Sequence, residues 1–157
     1  MKIQLLFVGK TDTGYLEDGI HDYLKRVRRY MDVEVVTPTI PAKWNNLPVD
    51  TRKEREAAII LKHMAQCDQC IILDEKGRSF TSVQFARFIE EKMNRSTKRL
   101  MFVAGGPWGF SAKVKQKAAM QLSLSSMTFS HQMVRLFFME QLYRAMTIIR
   151  GEPYHNE

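Results

Sequence analysis

Three segments in the last third of the chain carry residue types suited to binding and group chemistry. Gly105-Gly106-Pro107-Trp108-Gly109 follows an apolar, strand-like run. Paired glycines let a backbone approach a ligand closely and adopt positive φ, and Pro107 stiffens the residues after it. The same residues also suit a plain strand-to-helix turn. Leu122 to His131 offers small hydroxyl residues and free backbone groups that can cradle an adenosine-like ligand, or form an ordinary serine-rich connection. The closing stretch, Gly151 to Glu157, sets an aromatic, Tyr154, beside an imidazole, His155, although chain ends are disordered by default. Ser111 suits a helix N-cap, yet Lys113, Lys115 and Lys117 come after it, at the positive end of a helix dipole. A local rule broken in this way suggests a functional gain, here the holding of a phosphate backbone.

Other motifs fall short of their chemistry. Gly9-Lys10-Thr11 resembles the end of a phosphate-binding P-loop, but the glycine required five positions earlier is Gln4. No G-x-G-x-x-G follows a strand. Cys67-Asp68-Gln69-Cys70 has no second cysteine pair or spaced histidine pair to complete a zinc site, so no metal is expected. It also closes a helix, whereas a thioredoxin-like pair opens one.

The elements that must position these residues read as alternating strands and helices. Strands are expected at Ile3–Val8, Val33–Thr37, Ile71–Leu73, Arg99–Ala104 and about Leu122–Ser125. Helices are expected at Tyr15–Tyr30, from an Asp50 cap to about Gln66, at Ser82–Asn94, from Ser111, and from about Gln132 to Ile149. A turn is expected at Asp74–Gly77 and a proline-rich loop at Pro38–Pro48. This order gives an α/β fold, a mostly parallel sheet with helices on both faces, in one domain spanning 1–157. Ligands in such sheets bind beyond the strand carboxyl ends, here Leu73-Asp74, Ala104-Gly105-Gly106 and Ser125-Ser126-Met127.

The 157 residues are 45% apolar with a formal charge of +7, a balance that excludes disorder. No apolar run approaches the roughly 18 residues of a membrane span. Met1–Gly9 runs into a strand pattern without a signal-peptide cleavage site, so a cytoplasmic location is expected. Residues 67–157 hold 13 Lys/Arg against 8 Asp/Glu, and Lys92 to Met139 holds eight cations and no carboxylate. Such a one-signed stretch points to an anionic partner, nucleic acid being the commonest. The last helix is apolar around nearly its whole circumference, from Met133 to Ile149. One face can pack on the sheet, and the other calls for a partner, giving a homodimer through this helix.

The Gly105–Gly109 loop, the S-L-S-S-M-T-F-S-H run, the Q-L-Y-R-A-x-x-I helix segment and the terminal P-Y-H resemble the RlmH-type ribosomal RNA large subunit methyltransferases, of the SPOUT class. The resemblance extends back to the K-I-Q-L-L-F-V-G-K opening. It implies an α/β fold with a C-terminal trefoil knot, a homodimer, bound S-adenosylmethionine, and N3-methylation of a pseudouridine in 23S ribosomal RNA on the assembled ribosome. Leu73, Gly106 and the run Ser125, Ser126, Met127, Thr128, Phe129 and Ser130 would form the cofactor pocket. The tail of one subunit would complete the pocket of the other. Arg144, Tyr154 and His155 would lie near the methyl group and target base: Arg144 to stabilise the imide anion, His155 to take the proton, Tyr154 to pack on the base. Lys113, Lys115 and Lys117 would flank the pocket and grip RNA. Relatives often carry a basic residue where this chain has Asn156, so no phosphate contact is assigned there. The competing reading is a non-catalytic ribosome- or RNA-binding protein using the same basic surface, which needs the charge but not the pocket.

Overall fold

The computed structural model describes residues 1–12 and 14–156; Thr13 and Glu157 lie outside the described residues. The strands are β1 (Lys2–Phe7), β2 (Asp32–Val36), β3 (Gln69–Ser79), β4 (Arg99–Ala104) and β5 (Met120–Ser123). The helices are α1 (Tyr15–Val27), α2 (Val49–Met64), α3 (Ser82–Asn94), α4 (Ala112–Lys117) and α5 (His131–Arg150). One sheet forms in the order β2-β1-β4-β3-β5, with every adjacent pair parallel.

The strand period of two divides the core between the faces. Leu5, Phe7, Ile71, Leu73, Leu100 and Phe102 join residues of α1, α3 and α5 in one cluster. Their neighbours Leu6, Val8, Ile72, Met101 and Val103 join α2 and α4 in the other. The central strands are therefore buried on both faces, as a parallel sheet requires. The two-layered helix cover expected from the sequence is what forms.

Local signals explain the elements that begin and end where expected. Thr81 caps α3 in a reciprocal capping box with Gln84, and Ser111 caps α4 by accepting the Val114 N–H. Asp50 does not cap α2. Pro48 stands at the N-cap and Asp50 lies inside the first turn, where its charge suits the dipole instead. The proline-rich loop contains a short 3-10 turn, Ala42–Asn46.

β3 departs from expectation by continuing past Leu73. Both Leu73 and Arg78 lie opposite Leu122 of β5, so Asp74–Gly77 bulges out of the ladder and pairing then resumes. Gly77 permits this: a Cβ there would stand 2.5 Å from the Gln121 carbonyl carbon and oxygen. The bulge sets Asp74 and Glu75 at the rim of the strand ends.

Candidate functional site

The carboxyl ends of β3, β4 and β5 open into a cleft of about 480 Å³, a size suited to a ligand of several hundred daltons. Its floor is Leu73, Ala104 and Leu122; the glycine loop forms one wall and residues 123–125 and 127–129 the other. Of the residues expected to hold a cofactor, Leu73, Gly106, Ser125, Met127, Thr128 and Phe129 line it. Ser126 and Ser130 are not among the lining residues. Ser130 is the N-cap of α5, its hydroxyl accepting the Met133 N–H at 3.2 Å.

Each wall is fixed by side chains. Ser123 Oγ donates to the Ser125 carbonyl at 2.9 Å, and Ser125 Oγ accepts the Met127 N–H at 3.0 Å. Thr128 Oγ1 donates to Glu75 Oε2 at 2.8 Å, tying the wall to the β3 bulge. Opposite, a Cβ on Gly106 would approach Glu56 Oε2 to 3.0 Å. Glu56 is only 3% exposed and accepts from the half-buried Arg52 Nε at 2.9 Å, so this ion pair on α2 backs the glycine loop. The sequence reading missed Glu56; its spacing of four from Arg52 on a helix was the available signal.

The basic stretch does not form a one-signed surface. Lys115 Nζ meets Asp74 Oδ2 at 2.9 Å, and Lys113 Nζ meets Glu54 Oε2 at 3.3 Å. Burial pushes the Asp74 carboxyl upward, but hydrogen bonds from Lys115 and the Lys76 N–H outweigh it and hold it below the usual range. The lysines behind Ser111 therefore have an intramolecular gain, and α4 is so short that Lys115 and Lys117 fall in its last turn, where cations suit the dipole. Arg135, counted among the eight cations, is 0% exposed. It donates to the carbonyls of Val8 and Gly9 at 2.8 and 2.9 Å and to Thr11 Oγ1 at 3.0 Å, pinning the loop after β1 to α5. Burial lowers its pKa to about 10. A lone arginine amid Met133, Val134, Leu136 and Phe137 was the sequence signal for burial.

His131, the first residue of α5, also lines the cleft. Burial, then the Arg135 charge, pushes its pKa below the ordinary value. The next residue, Gln132, accepts the Asp12 N–H at 2.9 Å and donates to the Lys10 carbonyl at 3.2 Å.

Arg144, Tyr154 and His155 come together, but away from this cleft. The guanidinium lies 4.7 Å from the Tyr154 ring centroid, and its Nη1 is 3.3 Å from His155 Nδ1. The tail folds back on its own chain: Tyr154 Oη is 3.3 Å from Tyr23 Oη, and Tyr30 donates to Glu152. Tyr154 packs edge-on against Tyr143 at 4.7 Å. Val134, at the cleft, and Arg144 are ten residues apart on α5, about 15 Å of helix rise. Within one chain the two groups of residues do not meet. On α5 and the loop before it, Met127, Phe129 and Phe137 remain exposed, and the two phenylalanines pack on each other at 4.7 Å.

Cys67 is half-buried and Cys70 buried, both free thiols. Burial pushes Cys70 to about 12 and raises Cys67 as well, so neither is an activated nucleophile. Among the described residues no group of three His, Cys, Asp or Glu side chains could hold a metal ion. No helix of the described chain is long and apolar enough to cross a membrane.

A family model described as "predicted SPOUT methyltransferase" matches residues 1–155. The chain is 50% identical over 158 residues to ribosomal RNA large subunit methyltransferase H of Parabacteroides distasonis, covering all of both chains. It is 48% identical over 159 residues to the protein of that name from Flavobacterium johnsoniae, again covering both completely. Among solved structures, a probable methylase family protein from Haemophilus influenzae superimposes with a TM-score of 0.57 at 10% identity, covering 99% of this chain and 70% of that one. A probable methyltransferase from Bordetella pertussis gives 0.57 at 7% identity, with 92% and 96% covered. At such identities the structures speak for the fold alone.

Proposed function

The chain belongs to the SPOUT methyltransferase family, and on that premise we propose that it methylates N3 of a pseudouridine in 23S ribosomal RNA on the assembled ribosome, using S-adenosylmethionine. The observation that carries the reading is one coincidence. A chain matching ribosomal RNA large subunit methyltransferases H from end to end also builds a cleft at the three strand ends that its motifs mark. A non-catalytic RNA binder has no need of that cleft.

The cleft fits the cofactor's chemistry. Apolar surface from Leu73, Leu122 and Phe110 suits a purine, and backbone groups of residues 123–125 and 127–128 and the glycine loop suit the hydrogen-bonding edges. Leu73, Gly106, Ser125, Met127, Thr128 and Phe129 would contact it, with Ser130 capping the helix behind the loop. When bound, the sulfonium supplies an activated methyl group and departs as a neutral thioether. The protein's task is then alignment, the exclusion of water and handling of the N3 proton. Arg144 stabilises negative charge spreading onto the base carbonyls, His155 takes the proton, and Tyr154 packs on the base.

The separation of about 15 Å along α5 favours a homodimer in which one subunit's Arg144, Tyr154 and His155 meet the other's cleft. The exposed Met127, Phe129 and Phe137 offer the apolar surface for that contact. A C-terminal trefoil knot accords with the chain's path from edge strand β5, through a loop bonded to the β3 bulge, and back under α1 and α3. Lys113, Lys115 and Lys117, of which Lys115 lines the cleft, would face RNA phosphates. A ribosomal substrate puts the protein in the cytoplasm. Calorimetric titration with S-adenosylmethionine tests the reading: one site per chain is expected, and no binding by the folded protein would favour the non-catalytic RNA binder.

A further inference from the structure

Glu140 stands one helical turn before Arg144 on α5, and its carboxylate is used far more fully than in an ordinary i,i+4 pair. Oε1 accepts from Arg144 Nε at 3.1 Å, from Arg144 Nη2, and from Tyr154 Oη at 3.1 Å. Oε2 accepts from Gln141 Nε2 at 2.8 Å. The Glu140 and Arg144 side chains are only 20% and 24% exposed, so this is not a solvated surface pair.

We infer that Glu140 is a positioning residue for the methyl transfer: its Oε1 gathers Arg144 and Tyr154 into one fixed array in which Arg144 Nη1 lies against His155. The inference rests on the reading given under Proposed function. The bonding has two consequences. With Nε and Nη2 committed, the guanidinium cannot rotate, and only its other edge stays available to His155 and to a substrate carbonyl. Tyr154 donates its hydroxyl proton to Glu140 and can accept from Tyr23, 3.3 Å away. The phenol is thereby held as a neutral, oriented ring. Burial, then the hydrogen bond with Tyr23, raises its pKa far above the ordinary tyrosine value, which supports the same assignment. The residue that moves the proton must then be another, and Tyr154 serves by shape. Neutralising Glu140 removes the anchor that both partners share.

The test uses the full-length protein, ribosomes lacking the modification, and isotopically labelled S-adenosylmethionine. Glu140→Gln keeps size and helix propensity but puts an amide donor where donors already point. It is expected to lower kcat by about 30- to 100-fold, with cofactor Kd within about twofold of the parent, as misplacement at a reacting centre does. Glu140→Asp, which keeps the charge, is expected to retain more activity than the glutamine variant. Adding Glu140→Gln to Arg144→Ala is expected to cost less than about threefold more, because the two act as one unit. Tyr154→Phe provides an independent check through the other bond and should likewise add little to Glu140→Gln. A Glu140→Gln enzyme with near-parental kcat, a loss that multiplies fully with Arg144→Ala, or a parallel loss of cofactor affinity would each overturn the positioning role. If the unaltered protein transfers no methyl group, the underlying reading falls instead, and that result is distinguishable from all of these.

Discussion

Arg144 Nη1 lies 3.3 Å from His155 Nδ1, and because a guanidinium has only donors, the histidine nitrogen is the acceptor. The Nδ1 lone pair of His155 is therefore engaged in this arrangement. For His155 to take a proton from the substrate, its contact with the fixed Nη1 edge must first give way as the base carbonyls take that edge. Binding of the base would thus release the group that receives its proton.

That relationship makes the two residues interdependent. Arg144→Ala and His155→Ala are each expected to lower kcat by roughly 10²-fold or more, with cofactor binding unchanged by calorimetry. Near-full turnover by His155→Ala would remove it from proton transfer.

The distance along α5 makes the dimer testable by complementation. A subunit carrying Arg144→Ala and His155→Ala retains its cleft, and one carrying Gly106→Trp retains its tail. Each homodimer should be inactive. Mixed dimers should recover up to about half of the parental activity, since one of two shared sites is rebuilt. No recovery in dimers of verified composition would show that each chain acts alone.

The ion pairs divide the three lysines. Lys117→Glu should weaken ribosome binding and reduce its salt dependence, by roughly one unit of slope for each phosphate released, while leaving cofactor affinity intact. Lys115→Glu should reduce both, because Lys115 holds Asp74 at the rim of the cleft. Equal effects of the two variants on cofactor affinity, measured by titration, would contradict this division.

His131 gives a pH dependence with a definite sign. Its folded pKa lies below the ordinary 6.5, through burial and then the Arg135 charge, with Arg52 acting the same way and Asp12 and Glu56 opposing. The unfolded chain therefore binds more protons between the two values, so stability is complete above about pH 6.5 and falls as pH drops through that window. Urea midpoints between about pH 7.5 and 5 should decline in the parent and decline less in His131→Gln. Identical slopes would contradict the half-buried imidazole's lowered pKa.

Much of the frame was legible because local rules and tertiary demands agree. β4 and α3 begin and end at the residues expected, where a buried apolar run meets Gly105 and where Thr81 caps a helix. Strand ends followed by small or glycine residues mark Leu73, Gly106 and the Ser125 loop in the sequence itself. What the sequence hid were facts of pairing at a distance. The charge stretch looked one-signed only because its partners, Glu54 and Asp74, lie elsewhere in the chain. The continuation of β3 past Asp74 depends on β5, far later in the chain, accepting a bulge. Glu56 behind Gly106 belongs to the same class, since no short motif joins α2 to a loop so distant in sequence.

The central claim is a methyl group on one base, and the most direct measurement is mass spectrometry of 23S ribosomal RNA. RNA from a strain lacking this protein should have lost a single methyl from a pseudouridine and no other modification. The purified protein with S-adenosylmethionine should restore it on isolated ribosomes. An unchanged set of modifications in the deletion strain, or a lost methyl on a different kind of nucleotide, would contradict the account.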